Sequence, residues 1–227
     1  MIPLKQILAW DVTTWNRALQ FWQKEGIPLL PKNARGLEVG AWNGGITAFF
    51  AIQGCSMVCS DIEPLAETTR KFHHGLALNH LIEYQTFSAT NIPYLDDRFD
   101  FVVFKSVLGA IGRNDQIAQQ QQAIQEIHRV LKPGGILFFA ENLRGSLLHQ
   151  FARKNFVPWG NTWRYISRSE MEGFLSNFSK KKIHTTGFFA AFVPPPEWLK
   201  SLVALFDGVL FFIPKRWRYV VYGIAVK

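Results

Sequence analysis

Residues Gly36 to Phe50 read GLEVGAWNGGITAFF, and this stretch decides the fold. An apolar lead-in containing an acid, Glu38, predicts a strand. The glycine-rich turn that follows and the small residues after it predict the start of a helix. Gly40 and Gly44 carry no Cβ, so the backbone can turn sharply there and approach a ligand closely. Amide N–H groups at the helix start, reinforced by the helix dipole, favour negative charge in front of them. Turns of this kind serve dinucleotide, phosphate and flavin sites alike, and some of their glycines serve only packing.

Working outward, spacing narrows the choice. A second apolar run, Ser56 to Ser60, ends in Asp61, 23 positions after Glu38. An acid at that strand end can take both hydroxyls of a ribose. Phe99 to Phe104 predicts a further buried strand, ending at Lys105, and Glu126 to Ala140 reads as helix, Pro-Gly-Gly turn and strand. The order E-x-G-x-x-x-G, acid, N-I-P-x-x-x-x-x-F-D and L-K-P-G-G resembles the class I S-adenosylmethionine-dependent methyltransferases, type 11-like, of the kind found in bacterial glycan or secondary-metabolite pathways.

That resemblance implies an α/β fold. It would be a Rossmann-like three-layer sandwich with a seven-stranded, mostly parallel sheet, an antiparallel last strand and a C-terminal helical insertion. It also implies S-adenosylmethionine as cofactor, lying across the carboxyl ends of strands one, two and four. The amino-acid portion would meet the turn through Glu38, Gly40, Ala41 and Gly44. Asp61 would take the ribose, and Ile62, Ser88 and Ala89 the adenine. Lys105 would border the methionine end through its backbone. Two positions depart from the family pattern: Ser88 stands where an Asp is common, and Trp42 replaces the middle glycine of the turn. A serine hydroxyl accepts a hydrogen bond without charge, and the Trp42 side chain fits only if it points away from the cofactor.

Composition agrees with one domain over 1–227. The chain has 227 residues, 48% of them hydrophobic, enough to fill the core of a single α/β domain. Basic residues exceed acidic ones by 25 − 17 = 8, which permits anionic partners. Apart from Lys180–Lys182 and the run from Lys215 to Arg218 the charge is dispersed, and no RNA-binding signature appears, so nucleic acid is disfavoured. Cys55 and Cys59 flank one strand too far apart on an extended chain for a disulfide, and no metal-ligand pattern accompanies them. No signal pattern and no run of about 18 apolar residues is present, so a cytoplasmic protein is expected.

Segment 1–31 carries Trp10, Trp15, Phe21 and Trp22, with Thr14 as a candidate helix cap. Either its aromatic stripe packs on the domain, or it caps the cofactor cleft with Trp10 or Trp15 near the ligand. A helix is expected from Glu63-Pro64 to Leu78, with His73, His74 and His80 at its surface or end. Ile82–Phe87, Ile183–Phe192 and Tyr219–Val226 read as strands three, six and seven. Gln116 to Leu131 gives a scaffold helix, and Ser167 with Glu170 has capping-box spacing for a helix to about Phe178.

Segments 143–165 and 194–218 are read as acceptor-side insertions. In the second, Leu199, Leu202, Val203, Phe206, Val209, Leu210 and Ile213 fall on one helical face, widened by Leu205, Phe211 and Phe212. Buried, that face belongs to the domain; exposed, it lies on a membrane over 198–219, with Lys215, Arg216 and Arg218 at the headgroups. The reaction expected is methyl transfer to a small-molecule or glycan acceptor, at a hydroxyl oxygen, with Glu141 and His149 as candidate general bases. N-methylation, nucleic-acid methylation, a non-catalytic cofactor-binding protein and a nicotinamide oxidoreductase are the alternatives. The acid inside the first strand and the late L-K-P-G-G argue against the last.

Overall fold

The computed structural model describes residues 2–193, 197–207 and 212–227. Helices α1 (Leu4–Leu8) and α2 (Val12–Glu25) precede β1 (Arg35–Val39), and α3 (Gly45–Ala51) leads to β2 (Ser56–Asp61). Then come α4 (Glu67–Gly75), β3 (Ile82–Thr86), β4 (Phe99–Lys105), α5 (Leu108–Ile111), α6 (Ile117–Val130) and β5 (Leu131–Asn142). The chain finishes through α7 (Leu147–Phe156), α8 (Arg168–Phe174), β6 (Lys180–Thr186), α9 (Glu197–Asp207) and β7 (Val220–Val226).

The seven strands form one sheet in the order β3-β2-β1-β4-β5-β7-β6. Strands β1 to β5 run parallel, and β7 is antiparallel to β5 and β6. The uninterrupted apolar runs of β4 and β5 follow from burial on both faces. Phe101, Val103 and Phe138 turn to one core with Trp15, Trp22 and Phe50 from α2 and α3. Val102, Phe104, Leu137 and Phe139 turn to the other, with Ala123 and Ile127 from α6 and Met171 from α8. The result is the three-layer α/β sandwich that the family resemblance implied. Because β2 and β4 flank β1 on opposite sides, the carboxyl ends of these three strands open on the crevice where the chain order reverses, the usual place for a ligand in such sheets.

Local differences have identifiable causes. Helix α2 begins at Val12, so Thr14 lies inside it and does not cap it; Thr14 is buried, its hydroxyl 3.0 Å from that of Tyr219. Glu63 and Pro64 lie ahead of α4, which starts at Glu67. His73 is fully buried, not a surface residue. Ser167 and Glu170 do form a capping box, but α8 stops at Phe174. Strand β6 ends at Thr186, and Phe189–Phe192 form a short 3-10 turn. Cys55 and Cys59 are buried free thiols.

Segment 143–165 holds α7, whose start is fixed by a second capping box between Ser146 and His149. Of the apolar helix expected over 198–213, α9 covers residues to Asp207, and 194–196 and 208–211, including Val209, Leu210 and Phe211, lie outside the described residues. Its described apolar stripe faces outward. Trp198, Leu202, Leu205 and Phe206 are 68, 47, 63 and 60% exposed, whereas Ala204 and Asp207 are buried.

Candidate functional site

The glycine turn is fastened to the neighbouring strands before any ligand is considered. Gly40 leaves β1 at φ 70°, and a Cβ there would lie 2.5 Å from a Val107 methyl, so the turn presses on the loop after β4. The Ala41 N–H donates to the Ser60 carbonyl at 2.8 Å. At the end of β2, Asp61 accepts the Trp42 N–H on one carboxylate oxygen (2.8 Å) and the Ile62 N–H on the other (2.7 Å). A carboxylate has roughly four lone-pair sites, so Asp61 keeps acceptor capacity beyond these two bonds. Ile62 beside it is 66% exposed, an apolar surface next to an acid. The Phe87 N–H donates to the Asp61 carbonyl at 3.0 Å, which brings the Ser88–Ala89 loop to the same strand end. There the Ser88 hydroxyl accepts the Thr90 N–H at 3.3 Å and lies 2.8 Å from the Thr90 hydroxyl, and Ala89 is buried.

Two expected ligand-side residues turn inward instead. Glu38 is buried, and one of its oxygens accepts the Thr47 N–H at 2.7 Å and the Thr47 hydroxyl, tying α3 to β1. Burial pushes its pKa up to about 8. Gly44, at φ 69°, has its Cβ position filled by His73, whose ring would lie 2.5 Å away. The His73 Nε2–H donates to the Gly44 carbonyl at 2.9 Å, because a carbonyl can only accept, and Nδ1 then accepts from the Tyr84 hydroxyl at 3.0 Å. Gly44 thus makes room for His73.

Lys105 is the residue whose role sequence reasoning missed. Its backbone ends β4 as expected, but the side chain matters more. Nζ lies 3.4 Å from the Trp10 ring centroid and 4.5 Å from that of Trp15, a cation–π arrangement. Burial lowers its pKa to about 7, opposed by Glu141, Glu38 and Asp11. Trp10 also meets Trp42 edge-on at 5.5 Å, and Trp42 is 62% exposed at φ 48°. The N-terminal segment is held over the turn: Asn43 donates to the Gln6 carbonyl at 3.1 Å, and a Cβ on Gly45 would strike that carbonyl. Asp11, from the same segment, accepts the Tyr219 hydroxyl proton at 2.5 Å. The indoles were legible as cleft candidates. Their pairing with Lys105 was not, because periodicity says nothing about where a terminal segment docks.

The two candidate bases fare differently. Glu141, fully buried at the end of β5, accepts the N–H groups of Val107 (2.8 Å), Leu108 (2.7 Å) and Asn142 (2.8 Å). It fixes the loop after β4 and the start of α5, and burial raises its pKa to about 7. His149 is buried against Tyr219, beside the end of β5. Its Nε2–H donates to the Phe188 carbonyl at 3.0 Å and its Nδ1 accepts from Ser146 at 2.8 Å. Both ring nitrogens are engaged and burial lowers its pKa to about 4, so His149 presents no free nitrogen to take a proton here.

The cavities flank the crevice. One of about 170 Å³ lies beside Gln6, Asn43 and Thr69; another of about 410 Å³ lies between α7, α8 and the 215–216 segment. Over the strand ends themselves sit Lys105 and Trp10.

Residues 37–139 match a protein family described as "Methyltransferase domain". The chain is 31% identical over 148 residues to the malonyl-[acyl-carrier protein] O-methyltransferase of Enterobacter lignolyticus, covering 63% of this chain and 53% of that one. It is 29% identical over 151 residues to the thiol S-methyltransferase TMT1B of Mus musculus, covering 59% and 58%. It therefore spans little more than half the length of these relatives. Among solved structures, phosphoethanolamine N-methyltransferase 2 of Haemonchus contortus, bound to phosphomonomethylethanolamine and S-adenosylhomocysteine, superposes with a TM-score of 0.66 at 19% identity, over 95% of this chain and 54% of that one. With the strand order, the antiparallel β7 and the turn between β1 and α3, residues 37–139 are similar to a methyltransferase domain, and the chain shares its Rossmann-like fold with this solved methyltransferase structure.

Proposed function

We propose that the protein transfers a methyl group from S-adenosylmethionine to a hydroxyl oxygen of a small-molecule or glycan acceptor. Asp61 carries this reading. It is positioned by two backbone N–H groups and retains lone pairs for a ribose diol, with exposed Ile62 beside it for an apolar base. The chemistry of the donor set fits the cofactor further along the crevice, where the Trp10 and Trp15 faces already hold a cation. Gly40, Ala41 and the Lys105 backbone would border the amino-acid portion, and Ser88 and Ala89 the adenine. Bound there, S-adenosylmethionine supplies an electrophilic methyl on a sulfonium.

The chain's own part is positioning, water exclusion and proton removal. A hydroxyl acceptor loses its proton on methylation. Lys105 Nζ, lowered to about 7, is the group over the strand ends that can take it. Glu141 acts through the loop it holds, a positioning residue. The acceptor would enter between the N-terminal cap 1–31 and the insertions 143–165 and 194–218. In the first insertion, Trp163 packs on Gly109 and the Arg164 N–H donates to the Gly109 carbonyl at 3.1 Å, setting that segment beside the loop after β4. A lipid-linked glycan is the acceptor class for which the outward stripe of α9 matters.

Calorimetric titration with S-adenosylmethionine against NAD tests the cofactor. A labelled-methyl screen over sugar nucleotides, glycolipids, phenols, amines and thiols tests the acceptor, thiols being included because a relative is a thiol S-methyltransferase. Binding of NAD alone would sink the methyl-transfer reading. Methylation of amines or thiols with no hydroxyl product would replace its acceptor atom.

A further inference from the structure

Two helices in the second half of the chain turn large apolar side chains to solvent while a polar residue of each, Asp207 and His149, is buried. In α9 the exposed residues Trp198, Leu202, Leu205 and Phe206 stand at i, i+4, i+7 and i+8, a single stripe. The opposite face is pinned. The buried Asp207 carboxylate accepts the N–H groups of Phe188 (2.8 Å), Phe189 (3.0 Å) and Ala190 (3.0 Å), and Arg17 donates to the Ala204 carbonyl at 2.8 Å. The stripe's outward orientation is therefore fixed by hydrogen bonds. In α7, Leu147, Leu148 and Phe151 are 82, 56 and 62% exposed, and the inward residue is again polar: His149, bonded to the Phe188 carbonyl. Both helices are thus fastened to one short segment, where Phe189 is itself 47% exposed.

Scattered exposed apolar residues need no explanation, but two groups of them on helices fastened to the same segment mark an interaction site. Charge identifies the occupant. Residues 143–160 contain Arg144, Arg153 and Lys154 and no acid, and 212–218 contain Lys215, Arg216 and Arg218 and no acid. Lys215 and Arg216 are exposed beside the cleft next to α7, and no described carboxylate pairs with either. Arg144 is paired with Glu170 and Glu172 lines the same cleft, so the free charge beside the apolar groups is that of Lys154, Lys215 and Arg216, none of which pairs with a described carboxylate; such a set complements an anionic lipid surface. A second copy on the same face would set these cations against their own images across a two-fold axis. No helix among the described residues is long and apolar enough to cross a bilayer, so the helices would lie flat in the interface.

We propose that this face docks the protein on an anionic lipid bilayer, with α9 and the first turn of α7 in the headgroup layer. The inference stands apart from methyl transfer, since lipid binding is read without cofactor. The test is co-sedimentation with phosphatidylglycerol/phosphatidylcholine vesicles and with phosphatidylcholine alone, in low and high salt, beside analytical ultracentrifugation without lipid. The protein should pellet with the anionic vesicles and be released by salt. Leu205→Ser with Phe206→Ser should reduce binding at least tenfold, as should Lys215→Glu with Arg216→Glu, both variants keeping the parent's thermal unfolding midpoint. No pelleting in low salt would overturn the proposal. So would pelleting indifferent to the apolar substitutions, which would reduce it to charge alone, or a lipid-free dimer that those substitutions abolish.

Discussion

The Lys105 ammonium lies 3.4 Å from the ring centroid of Trp10 and 4.5 Å from that of Trp15, so a lysine at the carboxyl end of β4 is roofed by two indoles from the N-terminal segment. Burial lowers the pKa of this amine to about 7, opposed by the Glu141, Glu38 and Asp11 carboxylates, while the aromatic faces favour its charged form. A group that is neutral for part of the time at pH 7 can accept a proton; an ordinary surface lysine cannot.

Lys105→Met and Lys105→Arg should therefore both slow methylation of a hydroxyl acceptor, by about 10²–10⁴-fold, the usual scale of a lost general base. Parent turnover should rise through pH about 7 as the amine loses its proton, and that limb should vanish in both variants. The arginine variant keeps the charge but cannot deprotonate. Stability gives an independent reading. Because the folded pKa lies below the unfolded one, the unfolded chain binds more protons between pH 7 and about 10.4, and stability gains with rising pH across that window. Lys105→Met should flatten this gain in urea titrations. Normal turnover with an unchanged pH profile would remove Lys105 from proton transfer.

Asp61→Ala should weaken S-adenosylmethionine binding by about 1.5–3 kcal/mol, the scale of a lost hydrogen bond to a charged group. The variant also frees the Trp42 and Ile62 N–H groups, so a small drop in thermal midpoint is expected. Calorimetry and melting of the same sample separate the two. A lowered midpoint with unaltered affinity would make Asp61 a brace for the turn and nothing more.

Ser88→Asp should tighten cofactor binding several-fold, since a carboxylate is a stronger acceptor for an adenine amine. An aspartate can still accept the Thr90 N–H as Ser88 does, so the loop should keep its shape. Weaker binding in a titration of this variant would place the adenine elsewhere.

His149 separates structure from catalysis. Its folded pKa, about 4, lies below the unfolded value near 6.5. The unfolded chain therefore gains a proton first as pH falls from about 6.5 to 4, and stability is lost across that range. His149→Gln should cost about 1–3 kcal/mol at pH 7 through the capping box and the Phe188 carbonyl, and should lose less than the parent on acidification. The pH profile of turnover should not move. Chemical denaturation at several pH values checks the first claim, and initial rates the second.

The fold was legible because its signals are local. The acid-glycine turn of Gly36 to Phe50, the two-sided apolar runs of β4 and β5, and the Ser167–Glu170 capping box each declare an element without help from the rest of the chain. What the sequence concealed are contacts between distant segments. His73 reads as a helix-end residue until its ring is seen filling the Cβ position of Gly44, 29 positions away. Glu38 reads as a cofactor residue by family resemblance and Glu141 as a candidate base by its place after the fifth strand, yet backbone and hydroxyl donors hold both carboxylates inward. For α9 the periodicity marked an apolar stripe but not its direction, which Asp207 decides by bonding residues 188–190.

Gly44 provides the sharpest test of how the turn works. At φ 69° an alanine would pay roughly 1–2 kcal/mol for the left-handed backbone alone. Its Cβ would also fall 2.5 Å from His73 Cε1 and 2.7 Å from Thr69 Cγ2. His73 is held at both nitrogens by the Gly44 carbonyl and Tyr84, so it cannot swing aside cheaply, and overpacking adds about 1–3 kcal/mol. Gly44→Ala should therefore lose about 2–5 kcal/mol in urea titration, by the sum of those two costs. In the His73→Ala background the clash with His73 disappears while the Thr69 contact and the backbone part remain, so the two substitutions should couple favourably by up to about 1–3 kcal/mol, as residues in contact do. A glycine kept bare for a ligand would behave otherwise. Gly44→Ala would then leave stability nearly intact and reduce S-adenosylmethionine affinity, with no coupling to His73, and that result would return the position to the cofactor site.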